Sequence, residues 1–585
     1  MSKSIRTSLV FVLAVCAVTF TACTKKEEAG KAASILQSDQ TILRYIPADT
    51  PYVFANVEPL PDDLMDKMEP KIDRLLKAYQ TILKEAIAAR QGEKSDEDTD
   101  SEQQKRIEGV VDELSGLMSI EGLRGAGIGR DATAAIYGNG LLPVLRFSAT
   151  DGKLFDAAIS RLEEKAGQNM PVAEVDGHSY RYVDADNFRF ILAVIGDQVV
   201  ITGLPSGFDD AQLGVALGLT LPAQSIAKSG VLAQLAAKYG YTNHYGGFID
   251  AERIVSRILD PQPGPDAGLV GLLPHDPASM SDTCKAEINE VVGIAPRMVV
   301  GYTAVAADRL DSLLVLEMRD DIAKGLASLP APVPGLGGDK GGLLSFGLSL
   351  DPKALKTFIS DRIAAMEAKP FECEYFAHLQ EGIPQVKQAL NQPLPPVVYD
   401  FKGLLAIIDD VEGLDVATKT PPTSVKGRLL MEMDNAPVLV QTGEMFSPDL
   451  ANLNLQPDGK PVALDLPQVK AAGISAYAAL TQTALAIAVG EDAEPALDAM
   501  LKAAPADPAP FMSVSVDASR YYSFLADAIA AAEPPGDGQP AQSPEMKQAV
   551  NDIMNVVSEL YDRIVVEVLL TPRGVEMPST VTLQD

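Results

Sequence analysis

His178, His244, His275 and His378 are the chain's only imidazoles, and their spacing bears on whether it can hold a catalytic zinc. Such a site draws on two or three histidines, often close in sequence. No two here lie within five residues of each other, and none opens H-E-x-x-H. His244 in YTNHYGG and His275 in LLPHDPAS read as loop or turn residues. A serine nucleophile would need a G-x-S-x-G elbow, and GISAY and GLSLD both lack the final glycine. Asp96, Asp98 and Asp100 alternate as an EF-hand loop begins, but Ser101 then stands where glycine is required. Ile107 stands where glutamate is required, with Glu108 one place late, so a solvated acidic loop is expected. Asp409 and Asp410 in AIIDDVEG are adjacent. On a strand they point to opposite faces and do not converge for acid and base work; a turn after a strand is the plain expectation. RGAGIGRD and PGLGGDKGG lack nucleotide-loop spacing. The sequence therefore presents no catalytic or metal constellation. It reads as a non-enzyme that needs no cofactor.

The cysteines carry more. MSKSIRTSLVFVLAVCAVTF places Lys3 and Arg6 ahead of an apolar run from Leu9 to Phe20. A run of about 12 residues spans roughly 18 Å of helix, short of a ~30 Å hydrocarbon core, so it reads as the core of a signal peptide. Thr21 and Ala22 are small, as a peptidase site needs. FTAC, ending at Cys23, resembles the lipobox of bacterial lipoproteins, with Phe20 where that pattern has Leu. The resemblance implies that residues 1–22 are removed and that Cys23 becomes the acylated first residue. Several acyl chains, each buried CH₂ contributing about 0.8 kcal/mol, would hold the chain on a bilayer. The alternative is an ordinary secretory signal cut nearby. Thr24 stands where the family's inner-membrane retention signal often has Asp, which implies the periplasmic face of a Gram-negative outer membrane. Residues 23–39 read as a polar tether. Cys16 leaves with the leader, so Cys284 and Cys373 remain. An even pair in an exported chain is most simply a disulfide, closing a loop of about 90 residues for roughly 2–5 kcal/mol. Two buried thiols, or part of a metal site, are the alternatives.

Composition narrows the partners. With 80 acidic against 49 basic residues the net charge is −31, which disfavours nucleic acid and anionic lipid surfaces. Tryptophan is absent and aromatics make up 6%, so sites that stack sugars or bases on rings lose weight.

Internal similarity organises the rest. A strand that ends in an acid and runs into a helix occurs four times: YVFANVEPLPDDLMDKM, GGFIDAERIVSRIL, SFGLSLDPKALKTFISDRI and FMSVSVDASRYYSFLADAI. Glu58, Asp250, Asp351 and Asp517 stand where an N-cap or first-turn residue belongs. The acids of the first and third segments precede Pro59 and Pro352, and those of the second and fourth precede Ala251 and Ala518. FILAVIGDQVVITG matches AYAALTQTALAIAVG, and RMVVGYTAVAADRLDSLLVLEM matches RIVVEVLLTPRGVEMPSTVTL. The interval from Asp250 to Val299 is 49 residues, and that from Asp517 to Val565 is 48. DATAAIYGNGLLPVLRFSATD is a hairpin around GNG, and HSYRYVDADNFRFILAVIGDQVVITG a meander with turns at DADN and IGDQ. The expected fold is α+β: two tandem duplicated modules of antiparallel sheets packed with helices, at 40–325 and 343–585. A Pro/Gly linker, 326–342, separates them, and Cys284–Cys373 would clamp one to the other. AAEPPGDGQPAQSP reads as a flexible insertion. The first module carries a helical hairpin at about 60–120. Its apolar face runs through Leu64, Met68, Ile72, Leu75, Tyr79 and Leu83, and Pro70 is expected to bend or break the first arm.

The opening ILRYIPADTPYVFANVEPLP, with RFSATDGKLFDAAISRLEE and IGDQVVITG further on, is similar to uncharacterised bacterial envelope proteins. Their mature domain opens with a Pro-Ala-Asp-Thr turn entering a strand. That resemblance implies a domain of unknown function and carries no site residues over. The functional expectation is a lipid-anchored binding or scaffold protein of the outer membrane that engages an unknown envelope protein and no nucleic acid. The alternatives are a carrier for a lipid or other apolar ligand, with the hairpin as its lid, and an unrecognised envelope hydrolase.

Overall fold

The computed structural model describes residues 35–584 except 39, 93–100, 275, 414–421, 466–468, 470–472 and 532–542. The leader, Cys16, Cys23, His275, Asp96, Asp98, Asp100 and most of the AAEPPGDGQPAQSP segment lie outside the described residues.

The alternating segments pair into a single 19-stranded antiparallel sheet. In chain order the first ten strands are β1 (Tyr52–Asn56), β2 (Ala134–Asn139), β3 (Leu142–Ser148), β4 (Val172–Val175), β5 (His178–Ala185), β6 (Phe188–Ile195), β7 (Gln198–Pro205), β8 (Gly246–Asp250), β9 (Arg297–Ala306) and β10 (Arg309–Glu317). The rest are β11 (Leu344–Ser349), β12 (Phe401–Glu412), β13 (Ser424–Met433), β14 (Val462–Ala463), β15 (Ala476–Leu480), β16 (Ala484–Val489), β17 (Met512–Asp517), β18 (Tyr561–Thr571) and β19 (Gly574–Leu583). At the middle, β10 pairs with β19, with Leu313 opposite Pro578 halfway along. Outward from β10 the order is β9-β8-β1-β2-β3-β7-β6-β5-β4. Outward from β19 it is β18-β17-β11-β12-β13-β16-β15-β14. The hairpin turns fall at the sequence signals. Gly140 (φ 61°) turns β2 into β3, Asp186 (φ 51°) turns β5 into β6, and Gly196 (φ 61°) turns β6 into β7.

The helices that cover this sheet include α1 (Asp62–Gly92), α2 (Ser101–Leu117), α3 (Ile120–Gly125), α4 (Gly152–Ala166), α5 (Asp210–Leu217), α6 (Ala251–Leu259) and α7 (Asp282–Val292). In the second half they include α8 (Pro352–Ala368), α9 (Ala377–Asn391), α10 (Pro396–Tyr399), α11 (Pro437–Phe446), α12 (Ala518–Ala531) and α13 (Pro544–Leu560). Three of the four strand-end acids act as expected, each accepting a first-turn N–H that the helix cannot satisfy itself. Asp250 takes Arg253 N at 2.9 Å, Asp351 takes Lys353 N at 2.8 Å, and Asp517 takes Arg520 N at 2.9 Å. Glu58 does not. Pro59 and Pro61 postpone α1 to Asp62, and the Glu58 carboxylate instead accepts from Asn243 Nδ2 at 3.2 Å. Pro70 does not break α1, which runs on to Gly92. Leu64, Met65 and Ala78 are buried on either side of it and hold the helix across the missing hydrogen bond.

The two helical arms meet, with Gln80 Nε2 donating to the Met118 carbonyl at 2.7 Å and Lys84 paired with Asp112 at 3.1 Å, and each also packs along another helix. α1 lies along α13, across the middle of the sheet, where Lys71 Nζ donates to the Glu559 carbonyl at 2.6 Å and Arg74 pairs with the Glu559 carboxylate. α2 packs along α4. On the other side of the middle, Cys284 in α7 is joined by a disulfide to Cys373, with Cα atoms 4.7 Å apart. Around it the buried Glu287 carboxylate accepts the N–H groups of Glu372 and Cys373 at 2.8 and 3.0 Å.

The segment 326–342 forms no strand and only the end of a helix, yet it is not a loose spacer. Val333 and Leu336 are buried in one cluster with Leu405, Leu430 and Leu497. A side chain at Gly347 would collide with Leu336, and one at Gly403 with Val333, so two glycines open the sheet to this segment. In consequence Ser345 and Ser349 on β11 are buried, while Phe346 between them is 39% exposed. The packed chain also starts earlier than the tether reading placed it, because Leu36 is already in the first-half core.

Candidate functional site

The histidines and adjacent carboxylates that could carry chemistry stay apart. His178 is exposed at the start of β5, His378 is exposed near the start of α9, and His244 is buried with Nδ1 3.3 Å from the Glu58 carbonyl. Among the described residues no three His, Cys, Asp or Glu side chains gather as a metal site. Ser101, Ile107 and Glu108 are helical, in α2. Asp409 and Asp410 lie inside β12 rather than in a turn, at a register shift, and serve different partners. Arg428 Nε donates to Asp409 at 2.9 Å, and Arg520 pairs with Asp410.

Among the described residues one carboxyl group is shifted upward. Burial pushes Glu432 on β13 up to about 7, against a Thr483 hydrogen bond that acts the other way, and its Oε2 is buried without a partner. The folded state then holds a proton that the unfolded state releases between about pH 4.5 and 7, so stability falls as pH rises through that window. Glu432→Gln is expected to match the wild type near pH 4 and to exceed it above pH 7 by about 1 kcal/mol, allowing for solvent screening. Urea unfolding at the two pH values checks this.

The feature built like a site is a cavity of about 100 Å³ in the first half, where the helical arms cross the sheet. Its floor is Phe147 of β3 and Ile201 of β7, and Phe155, Ala158 and Ile159 of α4 form one wall. Phe147 and Phe155 meet edge to face with centroids 5.5 Å apart, which fixes both rings. Met65 of α1, Leu114 and Leu117 of α2 and Leu123 of α3 form the roof. Three ionised side chains also line it: Glu69, Arg124 and Arg130. Arg124 Nη2 donates to Glu69 at 2.7 and 2.8 Å, while Arg130 donates to Glu69 at 2.6 and 3.0 Å and to Asp66 at 2.8 Å. Hydrogen bonds from Arg130 and Arg124 hold the Glu69 carboxyl below the usual carboxylate range. Arg124 is half exposed, so the cavity reaches the surface there. An apolar chamber with a few convergent polar groups at one end is the usual form of a small-molecule site. A second cavity of about 30 Å³, lined by Leu36, Leu43, Tyr241 and Asn243, is too small for an organic ligand.

The second half presents a different surface. No residue of α9, α10 or α11 is buried. Tyr375, Leu379, Val386 and Tyr399 are exposed, and Met445 and Phe446 at the end of α11 are 82% and 84% exposed.

No protein-family model, no curated protein and no solved structure matches this chain.

Proposed function

We propose that this protein is a lipid-anchored carrier for an acyl chain or a similar apolar ligand, held in the cavity beneath α1, α2 and α3. The cavity carries the reading: its walls are aliphatic and phenylalanine side chains, and its charged groups all stand at one end. Near 100 Å³ it takes the last few methylenes of a chain, and the opening at Arg124 lets the remainder run outward. Acylation at Cys23, which belongs to this proposal, would keep such a carrier at the periplasmic face of an outer membrane; mass spectrometry of the amino end tests it. We also read the chain as two tandem copies of one module. The support is the strand order, which runs the same way outward from β10 and from β19 with one extra strand, β4, in the first half.

The test is extraction of lipid from the full chain purified with its native membrane. The wild type is expected to bring close to one equivalent of acyl lipid. Ala158→Leu, which fills the cavity from α4, is expected to bring at most a tenth of that, with an unchanged circular dichroism spectrum. A milder replacement, Ala134→Val at the mouth end of β2, guards against misfolding of the first. Equal lipid in all three proteins would refute the carrier.

The exposed α9–α11 face favours a second reading, a docking site for a protein surface of low charge. Residues 377–399 carry only Glu381 and Lys387 in a chain of net charge −31. Interface cores are depleted of charge in this way. Loss of a defined crosslinked partner in a Met445→Asp, Phe446→Asp variant that still carries lipid would support it; retention would exclude it.

A further inference from the structure

The charged groups at the cavity mouth are ordered by depth. Glu69 is 14% exposed and Arg130 28%, Arg124 is half exposed, and Asp66 and Asp62 are 68% and 88% exposed. Outward from the apolar wall the sequence is therefore aliphatic lining, then two guanidinium groups around one carboxylate, then two carboxylates in solvent. Arg130 bridges the layers, reaching Glu69 on one side and Asp66 and Asp62, at 2.8 and 3.4 Å, on the other. Arg124 spends only Nη2 on Glu69, and its Nε and Nη1 make no bond to another described residue.

We propose that the ligand is a single-chain zwitterionic phospholipid. Its acyl chain enters the cavity, its phosphate lies against Arg124 and Arg130, and its ammonium lies against Asp62 and Asp66. This rests on the carrier reading and names the class of its ligand. Two cations and three carboxylates give the mouth a net charge of about −1, so a simple anion such as a fatty acid gains little there. A neutral glycerol head leaves the Nε and Nη1 groups of Arg124 with water alone. A phosphate followed by an ammonium has, from the chain outward, the order of charge complementary to the protein's cations followed by its carboxylates. The planar fork of arginine suits a phosphate oxygen pair. The outer carboxylates are the part that an anion site would lack.

Calorimetric titration of the delipidated full chain tests this with three probes of one chain length: lysophosphatidylethanolamine, the free fatty acid and the monoacylglycerol. Lysophosphatidylethanolamine is expected to bind about tenfold or more tightly than either of the others. In Asp62→Asn, Asp66→Asn it is expected to lose that advantage while monoacylglycerol binding holds, and in Arg124→Gln to lose it likewise. Equal binding of the three probes, or tightest binding of the fatty acid, would overturn the headgroup assignment and leave the carrier standing. Failure of all three to bind, with Ala158→Leu indistinguishable from the wild type, would remove both.

Discussion

Cys284→Ser, Cys373→Ser is expected to lower the unfolding free energy by about 2–5 kcal/mol, and reductant is expected to do the same to the wild type and nothing to the variant. The bond joins residues 89 apart, so the unfolded chain gains much of its freedom from the loop being opened. It also sits where the two halves of the sheet are braced. Glu287, buried beside it, relies on the N–H groups of Glu372 and Cys373 for solvation, and Lys369 pairs with Glu290 at 2.5 Å one turn further along α7. Once the crosslink is absent, those backbone groups can leave, and a buried carboxylate without donors is costly. The opposite brace, α1 on α13, does not depend on the bond. The variant is therefore expected to lose its α7 contact first, seen as faster amide exchange at 372 and 373 than along α13. Denaturant unfolding with and without reductant, read on both proteins, separates this from a general loss of packing. A reductant effect of the same size on the serine variant would show that the crosslink is not what reduction removes.

The difference between what the residues announce and what they conceal is one of range. Turn glycines, the meander and the caps at Asp250, Asp351 and Asp517 are local, and their chemistry acts within four residues. The Cys284–Cys373 pairing could be inferred without geometry because a reading that assigns Cys16 and Cys23 to a leader and its anchor leaves only two thiols to choose from. The cavity could not. Its walls come from α1, α2, α3, α4 and four strands, and the Glu69–Arg130 contact that marks its mouth spans 61 residues. An apolar stripe on α1 reads as core whether it covers a filled or a hollow floor. Composition misleads in the other direction at 326–342. Proline and glycine rule out regular structure there, but they say nothing about burial, and the glycines that admit Leu336 and Val333 lie in other strands. Glu58 marks the limit of the cap rule, since two prolines within three residues moved the helix start away from it.

Arg146→Lys is expected to cost more than Arg146→Met, about 3 kcal/mol or more against about 1, although lysine keeps the charge. Arg146 on β3 is 1% exposed, and among the described residues no carboxylate pairs with it. What solvates it is a set of partial charges. Nη2 donates to the carbonyl of Leu217, the last residue of α5, at 2.8 Å, where the helix dipole is negative. The guanidinium lies 4.0 Å from the Tyr45 ring centroid, face on to its π cloud. Gly218 (φ 76°) closes α5 in a left-handed turn, and any side chain there would strike both Arg146 and Tyr45. A planar, weakly hydrated cation can use both contacts together. An ammonium is compact and strongly hydrated, so it can reach the carbonyl or the ring but is left short of donors' partners in an apolar core. Methionine fills the same volume, removes the charge and forfeits one hydrogen bond, whose net worth is about 1 kcal/mol. The periodicity of β3 hides this residue, because Leu145 and Phe147 on the other face are buried too and both sides of the strand are core. Thermal and urea unfolding of the two variants decide the order. A lysine variant as stable as the wild type would mean that the charge is met by water or by an acid within reach, and that the carbonyl and ring are incidental.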